Sequence, residues 1–122
     1  MSMKSHELAR SLIMCLQFLG RGGTEGGGCP ALYATDHTYV VNGWKTSTPG
    51  SIEIPHLLLG YAQPDTFIGA AMMDTGRGTF TLTGKPVTDP EVLAQVDSYP
   101  DETAVEVPKA ERTFYGAAGP GR

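Results

Sequence analysis

Apolar and polar positions alternate with the period of two that marks a half-buried strand, and they do so in two related pairs of segments. Thr79-Phe80-Thr81-Leu82-Thr83-Gly84 puts Phe80 and Leu82 on one face and three threonines on the other. Thr38-Tyr39-Val40-Val41-Asn42-Gly43 matches it at an offset of 41, so Tyr39 and Val41 are expected to point inward as well. Ser51-Ile52-Glu53-Ile54-Pro55 and Ala104-Val105-Glu106-Val107-Pro108 form the second pair, at an offset of 53. In both, the alternation turns the β-branched residues inward and Glu53 and Glu106 outward. Proline carries no N–H for a ladder, so Pro55 and Pro108 should end or edge their strands.

The chain thus reads as a unit of strand, turn, strand, loop and Pro-terminated strand, used twice. Pro49 and Pro90 keep the offset of 41, and Tyr33–Asp36 is expected to correspond to Met72–Asp74. The later rise in offset places an insertion at Asp89–Glu102, where Asp-Pro-Glu and the Val92-Leu93-Val96 spacing predict a short capped helix. Asn42-Gly43 predicts a type I′ turn. Neither copy holds enough strands to be stable alone, so both should share one core. The expected fold is mainly β (β-rich α+β): two tandem three-stranded repeats sharing one sheet or partial barrel, six strands in all.

Upstream, Leu8, Leu12, Leu16 and Leu19 recur at helical spacing, which predicts an amphipathic helix over Ser5–Leu19 ended by Gly20. Gly20–Gly28 reads as a flexible linker. It lacks the Lys-Ser/Thr of a phosphate loop, and a helix is expected before it where such a loop needs a strand. The expected organisation is residues 1–28 as helix plus linker, 29–112 as one β-rich domain (repeats at about 29–65 and 66–112) and 113–122 as a tail.

Composition narrows the function. The chain has 122 residues and a net charge of −4. Seven acids in Asp89–Glu111 face only Lys109, so that stretch carries −6 and the rest +2. A phosphate backbone needs a positive field, so nucleic acid is not an expected partner. Cys15 and Cys29 are too few for a disulfide framework, and with His6, His37 and His56 they show no metal spacing. The apolar run Ser11–Gly20 is too short to span a bilayer and lacks a small-x-small cleavage signal. A reduced cytoplasmic protein with no membrane partner is expected.

Candidate chemistry is sparse. Cys29 with His37 or His56 as base and Asp36 as orienter would be a nucleophile set, but the sequence places Cys29 neither at a helix N-terminus nor among basic residues that would activate it. Glu53 and Glu106 read as matched surface carboxylates, and Met14, Met72 and Met73 as core filler. No catalytic residue, cofactor or metal is expected. Trp44 falls where the other copy has Lys85, and Leu57-Leu58-Leu59 has no apolar equivalent after Pro108. Trp44, Leu57, Leu58, Leu59 and Tyr61 are therefore the candidate partner interface.

Two resemblances add to this. Cys-Pro-x-Leu-Tyr, Thr-Tyr-Val-Val-Asn-Gly-Trp-Lys and Val-Thr-Asp-Pro-Glu-Val-Leu-Ala resemble a group of small uncharacterised actinobacterial proteins found near helix-turn-helix regulators in streptomycetes. That likeness runs from Cys29 to about Arg112 and implies a cytosolic accessory or regulatory protein. Val105-Glu106-Val107-Pro108-Lys109-Ala110-Glu111-Arg112, and more loosely Ile52–Leu59, is similar to the swapped-hairpin regulators and antitoxins of the AbrB/MazE type. That likeness implies hairpin geometry, an intertwined dimer and DNA binding. The functional expectation is a non-enzymatic protein acting through protein–protein contact, in a homodimer. A swapped-hairpin DNA-binding regulator and a small β-barrel hydrolase or isomerase are the alternatives.

Overall fold

The computed structural model describes residues 16–22 and 30–111. Nine strands belong to the antiparallel sheet: β1 (Gln17–Arg21), β2 (Ala31–Ala34), β3 (Thr38–Lys45), β4 (Ser51–Pro55), β5 (Thr66–Ile68), β6 (Met72–Asp74), β7 (Thr79–Thr83), β8 (Lys85–Pro86) and β9 (Glu102–Glu111). Among the described residues a 3-10 turn covers His56–Tyr61 and an α-helix, α1, covers Pro90–Gln95. Asp89 caps α1 by accepting from the Glu91 amide at 2.9 Å, and Pro90 starts it, as the Asp-Pro-Glu signal predicts.

The pairings close into a ring. β3 pairs with β9 from Thr38↔Pro108 to Trp44↔Glu102, and β9 with β8 through Lys85↔Glu106 and Pro86↔Val105. β8 continues β7 past Gly84. β7 then pairs with β4 from Thr79↔Pro55 to Thr83↔Ser51, and β4 returns to β3 through Trp44↔Glu53 and Lys45↔Ile52. The expected sheet or partial barrel is therefore curled into a ring, and among the described residues nine strands replace the expected six. β1 and β2 extend it beside β3, β6 lies beside β7, and β5 lies beside the end of β9.

The segments related by offsets of 41 and 53 sit in the same registers with their partners exchanged. Val41↔Val105 corresponds to Leu82↔Ile52, and Trp44↔Glu53 corresponds to Lys85↔Glu106. β6 aligns with β2 at one residue less: Asp74 lies opposite Phe80 as Ala34 lies opposite Tyr39, so Asp74 corresponds to Ala34, and not to Asp36.

Asn42 and Gly43 form no turn. Both lie inside β3 because β4 crosses closely there. A Cβ on Gly43 would stand 2.7 Å from the Glu53 carbonyl oxygen and 2.8 Å from Ile54 Cγ2. Gly84 meets the equivalent pair, 2.9 Å from the Glu106 carbonyl oxygen and 2.7 Å from Val107 Cγ1. Glycine lets each strand bend onto its next partner.

Two apolar clusters follow from the alternation. Inside the ring lie Tyr39, Val41, Ile52, Ile54, Leu82, Val105 and Val107, joined by Leu32, Leu58 and Ile68, with Phe80 packed against them. The outer face of β2, β3 and β9 supplies Ala31, Tyr33, Val40 and Ala104, which Val92 and Val96 from the inserted segment cover. Residues 17–19, expected to finish a helix, and Gly20 and Arg21, expected to open the linker, are strand, while 5–15 and 23–28 lie outside the described residues. Tertiary pairing explains the change: Leu19 packs against the inner cluster, and a bulge between Phe18 and Gly20 keeps β1 on β2.

Candidate functional site: a groove beside Glu106

The site is built from the β2–β3 turn. The Thr35 amide donates to the Thr38 carbonyl at 2.9 Å, and the two hydroxyls lie 2.6 Å apart. Thr35 Oγ1 also accepts from the Thr38 amide at 3.0 Å, a side-chain-stabilised turn. Lys109 Nζ donates to the Thr35 carbonyl at 2.7 Å and lies 5.3 Å from the Tyr39 ring centre. The clamp aims the Thr38 hydroxyl across the sheet, where it donates to Glu106 Oε2 at 2.8 Å.

The β6–β7 turn repeats these parts. The Thr75 and Thr79 hydroxyls are 2.6 Å apart, and Thr79 donates to Glu53 Oε2 at 2.5 Å. Here a cation completes the set, because Arg77 NH2 reaches the same Glu53 oxygen at 2.9 Å. The Thr79 hydrogen bond is the main cause that holds the Glu53 carboxyl below the usual range. Partial burial opposes it, and the Arg77 hydrogen bond and charge reinforce it. His56 takes the position of Lys109, with its ring 4.2 Å from Phe80 and Nε2 3.6 Å from Asp74.

The two carboxylates differ in what stands over them. α1 and the segment leading into it rise beside Glu106 and enclose a groove of about 360 Å³. Val40, Pro86, Val87 and Val92 give it an apolar surface, while Thr38, His37, Lys85, Asp89 and Glu106 supply polar groups. An apolar cleft with a few convergent polar groups is the common form of a binding site.

The predicted interface residues do not form one surface. Leu58 is wholly buried in the inner cluster and Leu59 is half-buried against it, because the 3-10 turn rolls these two leucines inward. Leu57 and Tyr61 are exposed and lean on β1: a Cβ on Gly20 would overlap the Tyr61 ring, and one on Gly22 would stand 2.7 Å from Leu57 Cδ1. Trp44 is half-buried on β3, opposite Glu53 and Glu102. Of the nucleophile set, Cys29 lies outside the described residues, and His37 and His56 sit on different turns. Met73 is exposed, and not core filler, while Met72 is half-buried. Among the described residues no group of three His, Cys, Asp or Glu side chains is placed to hold a metal, and no helix is long and apolar enough to cross a membrane.

Sequence reading passed over Thr35, Thr38 and the groove. A usable signal was present: Thr35…Thr38 and Thr75…Thr79 each lead into a strand, β3 or β7, beside one that carries a glutamate. No family model, curated protein or solved structure matches this chain, so its functional reading rests on this geometry.

Proposed function

We propose that this chain is a non-enzymatic accessory or regulatory protein that works through protein–protein contact and seats a segment of its partner in the groove beside Glu106. The groove itself carries the reading: an apolar surface between β3, β8 and α1 with charged groups at its margin has the anatomy of an interface core and rim. Self-association into a homodimer belongs to the same reading, since Phe18, Leu57, Phe67 and Met73 are each more than half exposed. The matched registers support an internal repeat, the actinobacterial resemblance supports an accessory role, and a cysteine count too low for a disulfide framework supports a reducing cytoplasm.

A pull-down with purified chain tests the reading. Wild type should retain a defined partner that Thr88→Trp, which fills the groove from its exposed margin, no longer retains at unchanged Tm. A partner held equally well by both places the contact elsewhere. Failure of wild type to retain any partner removes the proposal.

The exchanged-partner registers favour one second reading, a DNA-binding regulator of the swapped-hairpin kind. The −6 charge of the segment around Glu106 works against it. A promoter fragment shifted at low salt and released as salt rises would support it, and no shift at low salt would end it.

A further inference from the structure

We infer that Glu106 is a receptor for the guanidinium group of an arginine on the partner segment; this rests on the groove being the docking site. The β4–β7 pairing supplies the template. There the Glu53 carboxylate takes a threonine hydroxyl and an arginine on one oxygen, with Thr79 at 2.5 Å and Arg77 at 2.9 Å. Glu106 keeps the threonine, Thr38 at 2.8 Å, and the same strand register, but its turn brings no arginine. The reason is local. Thr75-Gly76-Arg77-Gly78-Thr79 is one residue longer than Thr35-Asp36-His37-Thr38, and its middle residue is the arginine.

Among the described residues, the cations near Glu106 are otherwise placed. Lys109 is turned to the Thr35 and Asp36 carbonyls, at 2.7 and 3.4 Å. Lys85 lies opposite Glu106 in the register and on the groove wall, without an ion pair to it, and His37 sits on the turn. Asp89 adds a second carboxylate to the margin. A planar guanidinium matches a carboxylate better than an ammonium does, because its fork donates two parallel hydrogen bonds. The aliphatic stem of an arginine would lie on Val40, Pro86 and Val92, as long basic side chains cover apolar surface elsewhere.

The probe is N-acetyl-arginine amide, titrated into the full chain while backbone amide shifts are followed by NMR. The neutral isostere N-acetyl-citrulline amide is run beside it. The arginine probe should move Thr38, Val40 and Glu106, and the citrulline probe should not. Glu106→Gln should weaken the response about tenfold or more at unchanged Tm. Arg77→Ala supplies an independent check: it frees Glu53, so a second set of shifts at Thr79 and Thr81 should appear. Equal shifts with citrulline, an undiminished response in Glu106→Gln, or no response at all overturns the inference. A partner retained by wild type and lost by Thr88→Trp, with no arginine response, removes the selectivity and leaves the groove reading standing.

Discussion

Thr79 donates its hydroxyl to the Glu53 carboxylate at 2.5 Å, and that one bond ties the β6–β7 turn to the middle of β4. It also lowers the folded pKa of Glu53, with Arg77 reinforcing it against partial burial. A carboxyl whose pKa is depressed by folding adds stability that is present above its unfolded value and lost as pH falls through the folded one. Tm should therefore drop on acidification below about pH 4.3, the ordinary glutamate value, partly through Glu53. Glu53→Gln removes this part of the slope. Thermal melts across the acid limb check it, and an unchanged slope in the variant would show that Glu53 is not the linked group.

Gly43 and Gly84 mark the two places where a strand leaves one partner for the next. Alanine at Gly43 would place its Cβ 2.7 Å from a carbonyl oxygen and 2.8 Å from a buried isoleucine methyl. Gly43→Ala should cost about 2–3 kcal/mol, the upper part of the range for overpacking. Gly84→Ala should behave alike, since its nearest neighbours are the corresponding atoms of β9. Gly60 has nothing within 4 Å of its hypothetical Cβ, so Gly60→Ala should stay within about 0.5 kcal/mol. Denaturant melts of the three variants separate these outcomes.

Those glycines also show where the sequence could be read and where it could not. Strand alternation at Ile52–Ile54 and Val105–Val107 survives any choice of partner, so the inner face was legible from period alone. Asn42-Gly43 carries a local turn signal, yet the deciding contact is with Glu53 and Ile54, which no local rule contains. The leucine spacing before Gly20 fits a helix, but residues 17–19 are held as strand by pairing with Tyr33 and Ala34. The groove needs residues from near 38, 86 and 106 at once, so only the insertion helix beside it was visible in advance.

Leu57 and Leu58 are neighbours with opposite roles. Leu58 is 0% exposed in the inner cluster, whereas Leu57 is 51% exposed over Gly22. Leu58→Ala should cost about 2–5 kcal/mol as a large-to-small core change. Leu57→Ala should cost no more than about 1 kcal/mol, because only part of its area is buried. Urea titrations resolve a difference of this size. Similar losses at both positions would mean that the 3-10 turn packs differently.

The inserted segment is fastened to the sheet by a polar network beneath it. Asn42 Nδ2 donates to Glu102 Oε1 at 3.0 Å, Ser98 donates to Asn42 Oδ1 at 2.5 Å, and the Tyr99 amide donates to the same Glu102 oxygen at 3.0 Å. Asn42 is fully buried and Glu102 is 4% exposed, so neither finds water in place of a lost partner. Asn42→Ala should cost about 2–3 kcal/mol, most of it from the polar groups left unpaired. Ser98→Ala removes one arm only, and the double variant should cost less than the sum by about 1 kcal/mol. α1 follows directly from Thr88-Asp89 and forms the groove wall through Val92, so loosening this network should also loosen the groove. Hydrogen exchange at the Val96 amide, which bonds to the Val92 carbonyl at 3.2 Å, should accelerate in Asn42→Ala more than exchange at the β4–β7 pairing. Uniform acceleration across the sheet would mean that Asn42 supports the whole barrel and not the inserted segment in particular.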